Sequence, residues 1–185
     1  MGEEIIVAGV DEVGRGALFG PIFAAAVVYK KDKIPEGIKD SKKLTPARRE
    51  FFFKKIEETA EEISVSFVSN FEIDETNIQE ANIKCMREAV LKLKSKFDTV
   101  YVDGYRIKGL PYKQKSIIKG DEKIPVISAA SIIAKVLRDK LIVEFSKIFP
   151  TYKLKNNKGY GTKKHRDAIK KFGRTLFHRY SFKIH

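Results

Sequence analysis

Sulfur, tryptophan and long apolar runs are scarce in this sequence. A single cysteine, Cys85, among 185 residues excludes a disulfide within the chain and any cysteine-rich zinc site. The three histidines form no cluster that would make an imidazole metal centre. No apolar run approaches the roughly 20 residues that cross a bilayer as a helix. The N-terminus enters a strand without a signal-peptide pattern, so a cytoplasmic location is the expectation. Tryptophan is absent and glutamine scarce against abundant Lys and Glu, a balance that leans toward a thermophilic source. Acidic residues are the minority charge, 24 against 37 Lys and Arg, for a formal net charge of +13 and a pI near 9.7. That excess favours a polyanionic partner, nucleic acid or a membrane surface, and composition alone leaves both open.

Few as they are, the acids are placed deliberately. The apolar run Ile5 to Val10 reads as a strand and ends in adjacent carboxylates, Asp11 and Glu12, followed by Gly14, Arg15 and Gly16. A carboxylate at the edge of a core stays ionised only beside a cation or hydrogen-bond donors. Glycines allow close approach of a ligand, and Arg15 offers a fork of donors suited to phosphate. Ile22 to Tyr29 is a second strand, and Gly20 with Pro21 makes a hairpin of the pair. Thr45 and Pro46 open a helix that runs to about Glu62; Phe51, Phe52 and Phe53 on it read as core. Ile63 to Val68 alternates apolar residues with serine, a third strand with a polar exposed face. Thr76 to Gln79 has capping-box spacing, ahead of a helix with Ile78, Ala81, Cys85, Met86, Ala89, Val90 and Leu93 on one face.

Val100 to Asp103 repeats the opening pattern, an apolar run closed by an acid and then Gly104. Ser116 to Lys119 leads as a further strand into Gly120 and Asp121, and Ala129 to Phe149 is a helix. A polar loop, Pro150 to Thr162, precedes a basic helix from about Lys163 to Phe172. Strand ends gather along one edge of a mixed or parallel sheet, so Asp11, Glu12, Asp103 and Asp121 can meet although distant in sequence. An all-carboxylate donor set suits Mg²⁺ or Mn²⁺. Two such ions serve phosphodiester hydrolysis.

The chain resembles ribonuclease HII, the type 2 ribonuclease H, across nearly its whole length. The resemblance rests on Asp-Glu-Val-Gly-Arg-Gly at 11 to 16, Asp-Ser-Lys-Lys-Leu at 40 to 44, Val-Asp-Gly at 102 to 104 and Lys-Gly-Asp at 119 to 121. Ser-Ala-Ala-Ser-Ile-Ile-Ala-Lys-Val at 128 to 136 and Gly-Tyr-Gly-Thr-Lys-Lys-His at 159 to 165 complete it. It implies an α/β fold, a ribonuclease H-like mixed central sheet flanked by helices, with a C-terminal helical lobe. Residues 1–150 would be the catalytic core, and 151–185 a segment packed on it that helps bind substrate. It implies Asp11, Glu12, Asp103 and Asp121 as catalytic and metal-binding residues for two divalent ions. Gly14, Arg15, Gly16 and Tyr160 would read the ribose 2′-hydroxyl, and Ser41, Lys42 and Lys43 would contact phosphate. The implied activity is cleavage of the RNA strand of RNA–DNA hybrids, and incision of duplex DNA 5′ of an embedded ribonucleotide, by a monomer. The Gly-Arg-Gly form favours type HII over type HIII.

Other readings compete at several positions. Asp139 is a rival fourth acid, although its Leu-Arg-Asp-Lys setting reads as a helix charge paired with its neighbours. His165 and His178 could serve metal-free cleavage with the 2′-hydroxyl as nucleophile, which would leave four carboxylates unexplained. A non-catalytic basic module that binds RNA or hybrid duplexes would share the charge but has no use for acids at strand ends.

Overall fold

Strand β1 (Ile6–Val13) runs three residues beyond Val10 and carries both acids inside it. Val13 still pairs with Phe23 on the antiparallel β2 (Ile22–Lys30), so the hairpin holds the acids in sheet geometry. The computed structural model describes residues 5–38 and 44–184, and the predicted phosphate contacts Ser41, Lys42 and Lys43 lie outside the described residues. Strands β3 (Glu62–Val68), β4 (Thr99–Asp103) and β5 (Gln114–Ile117) complete a five-stranded sheet of order β3-β2-β1-β4-β5. β3 is antiparallel to β2, whereas β4 is parallel to both β1 and β5. The sheet is therefore mixed, as expected.

Helix α1 (Pro46–Thr59) is capped by Thr45 and stops short of the predicted Glu62 because Glu62 pairs with Val28 at the start of β3. Phe52 and Phe53 are buried, but Phe51 is 61% exposed and belongs to no core. A short helix that the sequence reading passed over, α2 (Asn70–Glu75), is capped by Ser69. Next comes α3 (Ile78–Leu91), whose cap is Asn77, one residue later than predicted. Its side chain accepts the N–H groups of Gln79 and Glu80, and Thr76 instead donates to Glu72 O at the end of α2. The polar face of β3 is not exposed: Ser66 is buried and donates to Glu88, Ser64 donates to Ala89 O, and Phe67 is the exposed side chain. Small hydroxyl residues let α3 approach the strand closely while its polar groups stay satisfied.

The alternation of β1 and β2 divides the core. Ala8, Val10, Ala24, Ala26 and Val28 face α3. Val7, Ala25, Val27 and Tyr29 face α1 and the long α5 (Pro125–Ile148). Each fully buried Val, Ile or Phe in these layers contributes about 1.5–3 kcal/mol. Cys85 lies inside the first layer, where burial pushes its thiol up to about 12 and leaves it inert. Helix α5 begins four residues earlier than predicted, with Pro125 in its first turn, and crosses the sheet at Gly9. A Cβ at Gly9 would overlap the Val126 backbone. That close crossing fixes how α5 reaches the strand ends.

A third cluster welds the C-terminal segment to the loop after β1. Leu18, Phe19 and Ile142 pack with Tyr152, Leu154, Ala168 and Ile169. The segment contains α6 (Leu154–Asn157) and α7 (Lys163–Phe172), the latter where the sequence placed it and capped by Thr162. The N–H groups of Leu18 and Phe19 donate to Gly159 O on one side. On the other, Gly20 N–H donates to Phe177 O and Arg179 N–H to Leu18 O.

Candidate active site

Parallel pairing of β1 and β4 ends at Val10 with Val102, so the next residue on each strand is an acid, Asp11 beside Asp103, projecting to the same face. Glu12 points to the opposite face, yet β4 has ended there and its longer side chain comes round the strand end. Ligand oxygens of Asp11, Glu12 and Asp103 lie within 4.8 Å of one another. Two backbone donors brace the group: Glu12 N–H donates to Asp11 Oδ1 at 2.7 Å, and Gly120 N–H to Asp103 Oδ1 at 2.6 Å.

Asp121 does not close a strand. β5 stops at Ile117, and Lys119 adopts a left-handed conformation, φ 56°, that launches the short α4 (Gly120–Lys123) with Asp121 in its first turn. Asp121 is fully buried and lies outside the tight trio, but its charge still reaches Asp11. Asp139 is elsewhere, paired with Lys135 at 3.0 Å along α5.

Burial raises the Asp11 carboxyl well above its ordinary value. The charges of Glu12, Asp103 and Asp121 push in the same direction, and a hydrogen bond from Ser131 on α5 opposes them. Glu12 is raised by burial and by Asp103, with Arg15 partly compensating. Carboxylates crowded this closely raise one another, and a divalent cation among them would relieve that repulsion. The cluster's donors are oxygen alone, without thiolate or imidazole, and that set fits a hard divalent cation.

The acids form one wall of a cleft of about 350 Å³ lined also by Gly14, Arg15, Gly16, Arg49, Lys135 and Tyr160. Gly14 has φ +92°, and a Cβ on it would overlap the Arg138 guanidinium. Arg138 is fully buried and donates to Pro21 O, Lys158 O and Phe19 O at 3.0–3.1 Å. Arg179, also buried, donates to Gly20 O and Arg15 O. Two guanidiniums thus pin residues 15–21 through their carbonyls. Tyr160 is half-buried opposite, its ring 5.4 Å from both Lys135 Nζ and Arg138 Cζ. An isolated bridge pairs its backbone with Ala17. His165 and His178 are buried in the C-terminal segment and line no part of the cleft.

Sequence reasoning missed Ser131, Lys135, Arg138 and Arg179 as members of this neighbourhood. Ser131, Lys135 and Arg138 follow helical spacing on α5, a signal available once Gly9 marks where α5 crosses the sheet.

Comparison with known proteins gives the family and the fold. The profile of the family described as Ribonuclease HII matches residues 8–185. A ribonuclease HII from Caldicellulosiruptor bescii is 49% identical over 176 residues, covering 95% of this chain and 85% of that protein. The chain belongs to the ribonuclease HII family. With the acidic trio, that membership makes the protein a metal-dependent endoribonuclease. The ribonuclease H2 of Pyrococcus horikoshii superposes with a TM-score of 0.83 at 30% identity, covering 97% of this chain and 95% of that one. The ribonuclease HII of Archaeoglobus fulgidus, solved as a complex with PCNA, matches at TM-score 0.84 and 29% identity, covering 98% and 96% of the two chains.

Proposed function

We propose that this ribonuclease HII family member hydrolyses the RNA strand of RNA–DNA hybrids. We infer also that it incises duplex DNA on the 5′ side of an embedded ribonucleotide, leaving 5′-phosphate and 3′-hydroxyl ends. The observation that carries this reading is the meeting of Asp11, Glu12 and Asp103 within 4.8 Å in a cleft shared with Gly14, Arg15, Gly16 and Tyr160. Asp11, Glu12 and Asp103 would hold Mg²⁺ or Mn²⁺, with Asp121 adding charge from α4. A pair of such ions in the substrate complex would supply an activated water and neutralise the departing 3′-oxygen.

The chain's own groups do the rest. Arg15 is exposed at the rim, where its guanidinium suits a phosphate. Gly16 is exposed and has open space where a Cβ would stand, so a sugar can approach its backbone. The Tyr160 ring, flanked by two cations, offers a flat face to the ribose whose 2′-hydroxyl separates RNA from DNA. Ser41, Lys42 and Lys43 would contact phosphate in this scheme. Exposed Lys153, Lys155, Lys163 and Lys164 give residues 151–185 a basic surface, which supports this segment as the substrate-binding partner of a core formed by residues 1–150. A monomer suffices for all of this, with the cytoplasm as the setting.

Incubation with Mg²⁺ and a duplex carrying one ribonucleotide tests the reading. The expected products are a nick on its 5′ side with a 3′-hydroxyl and a 5′-phosphate, blocked by a chelator. A cyclic phosphate, or cleavage indifferent to chelation, would overturn it. Binding without any cut would instead favour the non-catalytic basic module.

Tyr160→Ala should slow incision at a lone ribonucleotide by about 10–100-fold, the equivalent of roughly 1–3 kcal/mol of lost ring stacking. Its backbone bonds to Asn157 O and His165 survive the change, so the melting temperature should hardly move. An unchanged rate on that substrate would remove Tyr160 from the site.

A further inference from the structure

Buried in the C-terminal segment, His165 and His178 face each other with their Nε2 atoms 3.2 Å apart. Both are essentially inaccessible, at 0% and 1% exposure. Their partners fix every proton. Tyr160 O, which can only accept, lies 3.0 Å from His165 Nδ1, so that nitrogen carries the hydrogen and His165 Nε2 keeps a lone pair. Thr175 N–H donates to His178 Nδ1 at 2.9 Å, so His178 carries its hydrogen on Nε2 and donates it to His165. One directed chain results, from Thr175 through His178 and His165 to the carbonyl of Tyr160.

We propose that this neutral two-histidine relay is the positioning device for Tyr160, locking the turn at 159–161 and so setting where the ring meets the ribose. The proposal rests on the reading of Tyr160 given above. Histidines 165 and 178 are positioning residues, acting on the reaction only through that turn. Gly159 shows how tightly the turn is held: its φ is +84°, and its carbonyl accepts the N–H groups of Leu18 and Phe19. A shift of the Tyr160 carbonyl would therefore be felt along the loop that carries Gly14 and Gly16.

The relay works only while both rings are neutral, because a second proton on either sets two N–H groups against each other. The surroundings favour that state. Phe19 from the loop after β1 and Tyr152 flank His178, Tyr152 also faces His165, and Arg174 is the charged neighbour whose field reaches the pair. Burial lowers His165 from its ordinary value; burial, His165 and Arg174 lower His178 to about 4. A folded-state value below the unfolded one, about 6.5, leaves the relay complete above pH 6.5. Its contribution to stability is then lost as pH falls toward 4.

The test is a double-mutant cycle on the full chain with a duplex carrying one ribonucleotide. His178→Phe keeps the ring and removes the hydrogen bonds, whereas His178→Gln keeps a donor toward His165. We expect His178→Phe to lower incision about tenfold, to be rescued in part by His178→Gln, and to add little in a Tyr160→Ala background. Effects of His178→Phe and Tyr160→Ala that multiply independently would overturn the relay while leaving the role of Tyr160 intact. No effect of Tyr160→Ala alone would overturn the reading of Tyr160 itself. Long-range ¹H–¹⁵N spectra of the wild-type protein at pH 7.5 give a readout that needs no variant to fold. Neutral rings with Nδ1–H on His165 and Nε2–H on His178 support the relay, and a charged ring or the reverse tautomers would refute it.

Discussion

Asp11→Asn is expected to reduce phosphodiester hydrolysis by at least about 10³-fold while leaving the fold and hybrid binding intact. The carboxylate it removes is 4% exposed, and the charges of Glu12, Asp103 and Asp121 all oppose its ionisation. Asparagine is close in shape and keeps an oxygen for the Glu12 N–H that Asp11 accepts at 2.7 Å. What is lost is one negative charge in the acidic cluster, and the substrate contacts proposed for Gly14 to Gly16 are untouched. Stability should move the other way from activity. A carboxyl raised by folding is favoured protonated, so metal-free wild-type protein loses stability as pH climbs from the ordinary 3.8 through the raised value. Asp11→Asn removes that slope and should melt higher than metal-free wild type at neutral pH. Addition of Mg²⁺ should raise the wild-type melting temperature more than that of the variant. Gel-based cleavage and thermal melts with and without Mg²⁺ check both halves. Full turnover, or an equal Mg²⁺ shift in the two proteins, would remove Asp11 from the metal site.

The same feature that makes Asp11 testable also made it legible. An apolar run closed by adjacent acids shows in the sequence because burial and charge conflict there, and Val100 to Asp103 repeats that conflict. Side-by-side placement of Asp11 and Asp103 follows from parallel pairing, which the mixed sheet supplies. Helix α3 was legible because one side of it is apolar. Asp121 was legible as a residue but not in its setting: a left-handed Lys119 places it on α4, and lysine carries no signal for that conformation. The serines of β3 read as solvent-facing because hydroxyls usually are, whereas α3 covers them and supplies their acceptors. Least legible were the settings of Arg138, Arg179 and His165. The two arginines are lost among 37 Lys and Arg, His165 reads as a candidate for metal-free cleavage, and only three-dimensional closure sets them against the carbonyls of residues 15–21 and Tyr160. A basic surface that draws a polyanion and buried cations that rigidify a loop cannot be told apart by composition.

The two glycines around Arg15 separate these roles. Gly14 is buried at φ +92° against the Arg138 side chain, which cannot give way because three carbonyls hold its guanidinium. Gly14→Ala should therefore cost about 3 kcal/mol in left-handed strain and overlap. In a chain of this size that lowers the melting temperature by about 6–12 °C, and activity falls with it as the loop shifts. Gly16 is exposed, its φ is outside the left-handed region, and a Cβ there meets nothing within 4 Å. No internal contact requires a glycine at that position. Gly16→Ala should thus change stability by less than about 0.5 kcal/mol. Its added methyl would nonetheless stand in the open space proposed for the ribose, and a displacement of about 1 Å in a reacting group can cost on the order of 100-fold in rate. The expected pattern is loss of melting temperature and activity together for Gly14→Ala, and loss of activity alone for Gly16→Ala. A wild-type melting temperature in Gly14→Ala would show that Arg138 is no clamp. A wild-type cleavage rate in Gly16→Ala would show that the open space above its backbone is not where substrate sits.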